Sequence, residues 1–375
     1  MTMLLTAAQV VTPARVLAPG WLRVVGDRIV EVGAGTPAGP ADDLGAVTVT
    51  PGFVDMHVHG GGGASFDGTA EAAAVVAATH LAHGTTSMAA SLVTDRLDTM
   101  ARSVRELSLL VADGLLAGIH LEGPWLSPRR SGAHQPGSLR LPDPGSVESL
   151  LGAGDGAVRM VTLAPELPGG VEAVRRLVAS GVVTAIGHTD ATYDVACEAL
   201  DAGASVGTHL FNAMPGLHHR DPGPVGALLA AHVDVELIAD GVHLHPAVLR
   251  TVFAAKPGRC VLITDAMAAA GAGDGDYQLG PMAIEVRAGV ARLGGADGQG
   301  AIAGSTLTMD AAVRFAAREA GVPLVDAVHA ASTAPARVLG LTDVGALEAG
   351  RRADLVVLGD DLQVLRVMRA GAWVG

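Results

Sequence analysis

The middle of the chain alternates short apolar runs with alanine-rich amphipathic segments, which predicts parallel β-strands joined by α-helices. Each apolar run has four to six residues, the length of a buried strand. Eight such runs in about 210 residues are typical of a (β/α)8 TIM-like barrel, whose active site lies at the C-terminal ends of the strands. The predicted strands are 53–57, 85–90, 116–121, 159–163, 182–186, 205–209, 235–238 and 261–264.

Helical periodicity separates several of these strands, at 69–82, 97–111, 170–179 and 194–202. Two more helices are predicted after the eighth strand, at 306–319 and 324–339. An open, doubly wound sheet would show the same alternation of strands and helices, and it is the alternative α/β fold.

Both ends of the chain lack helix-length patterns and contain only short apolar runs separated by turns. We expect residues 1–50 and 343–375 to pair into a small β-sandwich domain, with the catalytic barrel at 51–342 between them. A glycine-rich stretch at 271–276 neither leads from a strand into a helix nor carries Gly-Lys-Ser. It therefore predicts a turn into a β-hairpin insertion at about 275–301.

Composition narrows the class of protein. The 375 residues are 49% apolar and 17% charged, which suits a large folded core rather than disorder. A formal charge of −13 argues against a nucleic-acid partner or an anionic membrane surface. Two distant cysteines, the absence of a basic leader and the absence of a long apolar run predict a cytoplasmic protein without a membrane span.

The most informative stretch is 51–63, PGFVDMHVHGGGG, in which an apolar strand ends in two histidines and a glycine run. Side chains alternate along a strand, so His57 and His59 face the same way and can share one metal ion. A strand that happens to carry two histidines explains this pattern equally well. The residues at the other strand ends decide between the two readings.

Ligand-type residues end four further predicted strands: His120 and Glu122, His188, His209, and Asp265. Imidazoles and carboxylates buried without partners would each cost several kcal/mol, roughly. One divalent metal centre satisfies all of them. Nitrogen and oxygen ligands without sulfur suit Zn, Fe, Mn or Co better than they suit a thiolate site.

Together these motifs resemble the N-acetylglucosamine-6-phosphate deacetylase family of the amidohydrolase superfamily. The most specific segments are HLEGP at 120–124 and HLFNAM at 209–214. Further segments that carry the resemblance are 51–63, 132–134, 187–193, 220–223, 239–243, 264–267 and 303–309.

The resemblance implies a divalent metal, Zn or Fe foremost and otherwise Co, Mn or Cd. Glu122, His188 and His209 would hold the principal ion. Members of the family differ at the first motif, and some lack its two histidines. Because this chain has both, His57 and His59 would hold a second ion, with Glu122 between the two, giving one or two ions per subunit.

The implied reaction is hydrolysis of the acetamide of N-acetylglucosamine 6-phosphate to glucosamine 6-phosphate and acetate, in amino-sugar catabolism and cell-wall recycling. Asp265 would take the proton of the attacking water and return it to the amine, and His134 would stabilise the oxyanion. For Asp265 the alternatives are a metal ligand or a helix cap, and for His134 a solvated loop residue. The resemblance also implies a homodimer in which Arg220 serves the neighbouring site. The substrate-binding residues would be Ala133, His134, Asn212, Ala213, Arg220, His243, Ile302, Ala303 and Gly304.

Three other functions stay open. The closest in chemistry is deacetylation of N-acetylgalactosamine 6-phosphate or of another N-acyl compound, because the motifs barely separate C4 epimers. An amidohydrolase acting on cyclic amides is disfavoured, since many of these carry a bridging lysine and the only lysine here, Lys256, precedes the eighth strand. A non-catalytic sugar-phosphate-binding protein is the third, although no expected ligand position is missing.

Overall fold

The computed structural model describes residues 2–66, 69–294 and 300–374. Its central sheet has eight parallel strands whose spatial order follows the chain, as a (β/α)8 barrel requires and a doubly wound sheet does not. The first and eighth strands meet where the Asp265 N–H donates to the His57 carbonyl (2.9 Å) and the Thr264 hydroxyl to the Asp55 carboxylate (2.5 Å). The strands are β1 Phe53–Val58, β2 Thr85–Val93, β3 Gly118–Glu122, β4 Val158–Leu163, β5 Val183–Ile186, β6 Val206–Gly207, β7 Asp234–Ile238 and β8 Cys260–Ile263.

Helices cover the outside of this barrel, and each predicted helix lies within three residues of an observed one at its start. The predicted helix at 324–339 is two helices, because Pro335 has no N–H to donate to the Ala331 carbonyl and the chain breaks at Ser332. The helices are α1 Ala70–Ala82, α2 Leu97–Ala112, α3 Pro144–Gly154, α4 Gly170–Ala179, α5 Tyr193–Asp201, α6 Gly223–Ala230, α7 Pro246–Ala255, α8 Met309–Arg318, α9 Leu324–Ala331 and α10 Thr333–Val338.

Strand alternation explains why the barrel interior is polar. In β3 the side chains of Ile119 and Leu121 pack in the hydrophobic core, whereas His120 and Glu122 are buried on the opposite face. α2 belongs to the outer layer, and it buries Met100, Val104 (i+4) and Leu107 (i+7) on one helical face. The apolar half of each strand therefore builds the core and leaves the inward half for chemistry.

Two further sheets share one hydrophobic cluster; the N-terminal end alone builds the first, and both chain ends build the second. A strand from the C-terminal end, Leu355–Leu358, pairs antiparallel with Thr48–Pro51 just before the barrel. We propose 1–50 and 343–375 as the limits of this small domain and 51–342 as those of the barrel. In spatial order the first sheet is Arg28–Ala34, Gly20–Val25, Thr2–Ala7 and Asp42–Asp43; the second is Ala372–Trp373, Val364–Arg369, Leu355–Leu358, Thr48–Pro51, Gln9–Val11 and Val16–Leu17.

The predicted insertion is a three-stranded antiparallel meander of Gly275–Leu279, Met282–Arg287 and Val290–Leu293, rather than a two-stranded hairpin. Residues 295–299 of the predicted insertion lie outside the described residues. A short ribbon, Gly60–Gly61 with Ala64–Ser65, follows β1, and 3-10 turns occupy Pro128–Arg130 and Pro136–Ser138. No helix in the described ranges is both long enough and apolar enough to cross a membrane.

Candidate active site

The C-terminal ends of the barrel strands bring the predicted ligand residues together at one buried point. They arrive from β1, β3 and from the turns that follow β5, β6 and β8, and each of them is at most 8% exposed. The loop after β3 adds one further histidine. The seven side chains are His57, His59, Glu122, His134, His188, His209 and Asp265.

Glu122, His188 and His209 form the first cluster. Glu122 Oε1 lies 3.0 Å from Nε2 of each histidine, and the two Nε2 atoms are 3.1 Å apart. Four ligand atoms around an ion with bonds of 2.0–2.1 Å would be about 3.3 Å apart in a tetrahedron. The three donor atoms are therefore spaced as ligands of one small divalent ion.

His57, His59 and Asp265 form the second cluster. The two Nε2 atoms are 3.1 Å apart, so the histidines do share a face, and Asp265 Oδ1 lies 3.5 and 3.2 Å from them. Glu122 belongs to both clusters, because Oε2 lies 3.2 Å from His59 Nε2 and Oε1 lies 3.6 Å from His57 Nε2. One carboxylate thus stands between two groups of imidazoles.

Hydrogen bonds on the far side of the rings fix which nitrogen faces the centre. Nδ1 of His57 donates to Glu236 Oε2 (3.0 Å), that of His59 to the Ser91 carbonyl (3.2 Å), and that of His188 to the Arg130 carbonyl (2.8 Å). With the proton on Nδ1, each neutral ring directs its Nε2 lone pair inward. Lone pairs 3.1 Å apart repel unless a proton or a cation lies between them. The donor set therefore fits a divalent metal.

Charge inside the site shifts the pKa values of its members in opposite directions. Burial alone would lower the pKa of His59, but Asp265 and Glu122 outweigh it and raise that pKa to about 9. Burial would raise the pKa of Asp265, yet His57 and His59 lower it to about 2. In the same way, Glu236, Glu122 and Asp265 overcome burial and hold the pKa of His57 well above its usual value. Protons on these imidazoles and a bound cation satisfy the same carboxylates.

Because protons and metal compete for the same site, the stability of the protein should depend on pH in opposite ways with and without metal. In protein stripped of metal, the stability that His59 contributes is fully present below pH 6.5 and is lost as the pH rises through 9. A pKa shift from 6.5 to about 9 corresponds to roughly 3 kcal/mol. We expect the Tm of stripped protein to fall between pH 6.5 and 9.5. The Tm of metal-loaded protein should hold or rise, since ligands bind metal when deprotonated.

Thermal melts of both forms across this pH range check the prediction, and His59→Gln is the matched variant because it should flatten the slope of the stripped form. Stripped wild-type protein with equal Tm at pH 6.5 and 9.5 would contradict it.

His134 reaches the same centre from the loop after β3. Its Nδ1 accepts the Thr94 backbone N–H (3.1 Å), so the neutral ring carries its proton on Nε2, which lies 3.3 Å from Glu122 Oε2. Burial lowers the pKa of His134 to about 4 against the opposing effect of Glu122. The structure thus places a neutral N–H donor beside the two clusters, not a solvated loop histidine.

A cavity of about 350 Å³ opens from the clusters to the surface. Asn212, Ala213 and His243 line one part of it, and His243 donates from Nδ1 to Asp240 (2.7 Å). Gly304 lines the wall beside Asp265 with a positive φ, and a Cβ there would lie 2.9 Å from the Asp265 carbonyl. Other predicted residues on its wall are Ala133 and Ile302.

Two predicted binding residues lie elsewhere. Ala303 is fully buried in the cluster beneath the insertion, with its N–H donated to the Ala291 carbonyl (3.1 Å). Arg220 is exposed, contacts the neighbouring His219 ring nitrogen (2.7 Å), and is absent from the lining of the cavity. His120, on the same face of β3 as Glu122, contacts the Ser91 and Thr162 hydroxyls behind His57.

Sequence reasoning missed several residues that shape the site. Glu236 is a buried carboxylate in the apolar run of β7, and a charge on the inward face of such a strand was the available signal. Arg129 and Arg130 line the cavity and pair with Asp190 (3.2 and 2.8 Å). Their signal was a basic pair in the same loop as His134.

A family model and a solved structure each match most of the chain. A model of the Amidohydrolase family matches residues 48–374. An aspartate-to-alanine variant of the N-acetyl-D-glucosamine-6-phosphate deacetylase of Mycobacterium smegmatis, solved in complex with N-acetyl-D-glucosamine-6-phosphate, is 53% identical. The match covers 99% of both chains with a TM-score of 0.96.

Two curated relatives are equally similar but carry different names. The N-acetylglucosamine-6-phosphate deacetylase of Bos taurus is 38% identical over 349 residues, 88% of this chain and 84% of the relative. The N-acetylgalactosamine-6-phosphate deacetylase of Escherichia coli O157:H7 is 38% identical over 333 residues, 87% of each.

Proposed function

This chain belongs to the amidohydrolase family, and we propose that it hydrolyses the acetamide of N-acetyl-D-glucosamine 6-phosphate to D-glucosamine 6-phosphate and acetate. One observation carries the proposal: two clusters of histidines and carboxylates lie at the strand ends of the barrel, and Glu122 contacts both. The match to a deacetylase structure that holds this substrate supports the choice of amide.

Glu122, His188 and His209 would hold the principal ion, and His57, His59 and Asp265 a second. Zn or Fe suits this nitrogen and oxygen donor set, and Co, Mn and Cd are further candidates. A divalent ion in such a site acts as a Lewis acid and lowers the pKa of water from about 16 toward 7. The residues around the centre then have two tasks, moving a proton and stabilising charge.

Asp265 is the proton carrier in this proposal. It faces both the clusters and the cavity, and in metal-free protein the neighbouring imidazoles lower the pKa of its carboxyl to about 2. It takes the proton of the attacking water and delivers it to the nitrogen as the C–N bond breaks. Backbone hydrogen bonds to His57 (2.9 Å) and from Ser305 (2.7 Å) hold the residue in place.

His134 stabilises the oxygen of the carbonyl as negative charge develops on it. A donor for this task needs a proton on the nitrogen that faces the substrate and a fixed ring. Nε2 of His134 meets both conditions, because the backbone N–H of Thr94 (3.1 Å) and its hydroxyl (3.0 Å) both contact Nδ1 of the ring.

The sugar phosphate lies in the same cavity, whose lining includes Asn212, Ala213, His243 and Ile302. Gly304 lines it beside Asp265. Arg220 is exposed on the loop between Asn212 and α6, so we propose that it completes the phosphate site of the neighbouring subunit in a homodimer. Two free cysteines, Cys197 and Cys260, agree with our proposal of a reducing, cytoplasmic location.

Acetate release by metal-loaded protein tests the proposed function. N-acetylglucosamine 6-phosphate is compared with the unphosphorylated sugar, the galactosamine epimer and a chelated control. Fast, chelator-sensitive release from the phosphorylated glucosamine compound is expected. Faster release from the epimer would favour the second candidate, which the equally similar galactosamine relative motivates. Metal-loaded, folded protein that binds these sugars without releasing acetate would instead be a sugar-phosphate-binding protein.

The role of Arg220 predicts a loss of selectivity for phosphate. We expect Arg220→Ala to raise KM for the phosphorylated substrate by roughly 10-fold or more, the effect of one charge-assisted contact. The value of kcat and the kinetics of the unphosphorylated sugar should change little. Arg175→Ala on α4, another exposed arginine, is the matched control. An unchanged KM in Arg220→Ala would contradict the assignment.

A further inference from the structure

Glu236 lies behind the two clusters, in the middle of β7, and is fully buried. One of its oxygens, Oε2, accepts two hydrogen bonds: Nδ1–H of His57 at 3.0 Å and the backbone N–H of His209 at 3.1 Å. These donors belong to different clusters. A single carboxylate oxygen therefore contacts one histidine from each half of the site.

The main chain of Glu236 supports the same region. Its carbonyl accepts the N–H of Leu210 (2.9 Å), while the N–H of the preceding residue, His209, donates to the Glu236 side chain. β6 has only two residues in the sheet, and His209 has a positive φ of 26°. Glu236 thus replaces the sheet ladder where the chain turns His209 toward the centre.

The other oxygen, Oε1, is buried and has no hydrogen-bond partner among the described residues. Of the residues that the structure describes, His57 is also the sole ion-pair partner of the Glu236 side chain. A buried carboxylate satisfied on one oxygen alone is costly unless positive charge lies close by. A cation at the centre on the other side of the His57 ring would supply that charge.

We propose that Glu236 is a positioning residue that sets the metal affinity of the His57/His59 half of the site. It holds the proton of His57 on Nδ1, so that Nε2 presents a lone pair to the ion, and its negative charge makes the imidazole a stronger ligand. This inference rests on the proposed function, in which that half of the site holds a second ion.

Two variants separate the effect of the Glu236 charge from the effect of its distance to His57. Glu236→Gln keeps the volume and can accept both hydrogen bonds through its amide oxygen, but it removes the charge. Glu236→Asp keeps the charge but withdraws it by one methylene from His57. We expect either change to weaken binding of the second ion by about 10- to 100-fold. In Glu236→Gln, which keeps the bond to the His209 N–H, the affinity for the first ion should stay within about twofold of wild type.

Metal content after dialysis and stepwise Zn titration against a chromophoric chelator measure both affinities. His57→Ala, which removes the ligand itself, defines the one-ion state. Asp234→Asn is the matched control: it changes a buried carboxylate on the same strand that pairs with Arg337 (2.7 Å) and not with the site. It should lower Tm without changing the affinity for the second ion.

Selective loss of the second ion in either Glu236 variant supports the proposal. Wild-type affinities in both variants, an equal loss of both ions in Glu236→Gln, or a wild-type protein that binds one ion only would overturn it. Acetate release by wild-type protein is scored separately, so failure of the deacetylase function does not affect the metal titration.

Discussion

Asp265→Asn is expected to lower kcat by roughly 10³-fold or more while the protein stays folded, since a proton carrier contributes on that order to hydrolysis. Asparagine has nearly the same shape, but it cannot accept the proton of the water. The backbone contacts of residue 265 with His57 and Ser305 do not depend on its side chain, so the barrel closure should survive. Steady-state kinetics, Tm and metal content measured on the same preparation check the three parts of this prediction.

Metal content distinguishes the two roles open to Asp265. If it acts on the proton, activity is lost while the ion at Glu122, His188 and His209 remains bound. If it serves only as a ligand to the second ion, the loss of activity should be restored by excess metal. Asp274→Asn is the matched control, because that exposed carboxylate accepts the N–H groups of Ala288 and Gly289 and lies outside the site. Near-normal turnover by Asp265→Asn would remove the assignment.

Much of the fold was predictable because the pattern is local. Strand-length apolar runs and alanine-rich helices give the barrel, and inward-facing polar residues at strand ends follow from the two-residue repeat. His57 and His59 illustrate this: the alternation of side chains predicts that they share a face, and in the structure their Nε2 atoms lie 3.1 Å apart. The break at Ser332 was missed because the effect of Pro335 on a helix depends on which carbonyl it leaves without a donor.

Contacts across the barrel were not predictable in the same way. The bond from His57 to Glu236 joins residues 179 positions apart, and it depends on the relative register of β1 and β7, which no local pattern contains. For the same reason the strand predicted at 205–209 is longer than the observed β6. His209 leaves the sheet for a contact that only the folded barrel supplies. The exposure of Arg220 likewise depends on how the loop before α6 folds.

Glu122→Gln is expected to abolish both metal binding and turnover, because this carboxylate contacts every other member of the site except Asp265. Its oxygens lie 3.0 to 3.6 Å from nitrogens of His57, His59, His134, His188 and His209. We expect fewer than one tightly bound ion per chain and a fall in kcat/KM of roughly 10³-fold or more. Elemental analysis and acetate release measure the two effects.

Stability should change in the same variant, in a direction that tests the electrostatic account. Burial would raise the pKa of Glu122, but the surrounding imidazoles hold it well below its usual value, so the carboxylate balances their charge. Removing one partner of a buried ion cluster costs about 3–5 kcal/mol. The loss should be largest in metal-stripped protein between pH 4.5 and 6.5, where Glu122 is ionised and His59 is protonated. His188→Gln serves if Glu122→Gln does not fold, since it removes one ligand of the principal ion and keeps the carboxylate. Glu148→Gln, an exposed glutamate paired with Arg176, is the control. Retention of a tightly bound ion and of turnover in both site variants would show that the clusters are structural, and the reaction would have to be sought elsewhere in the cavity.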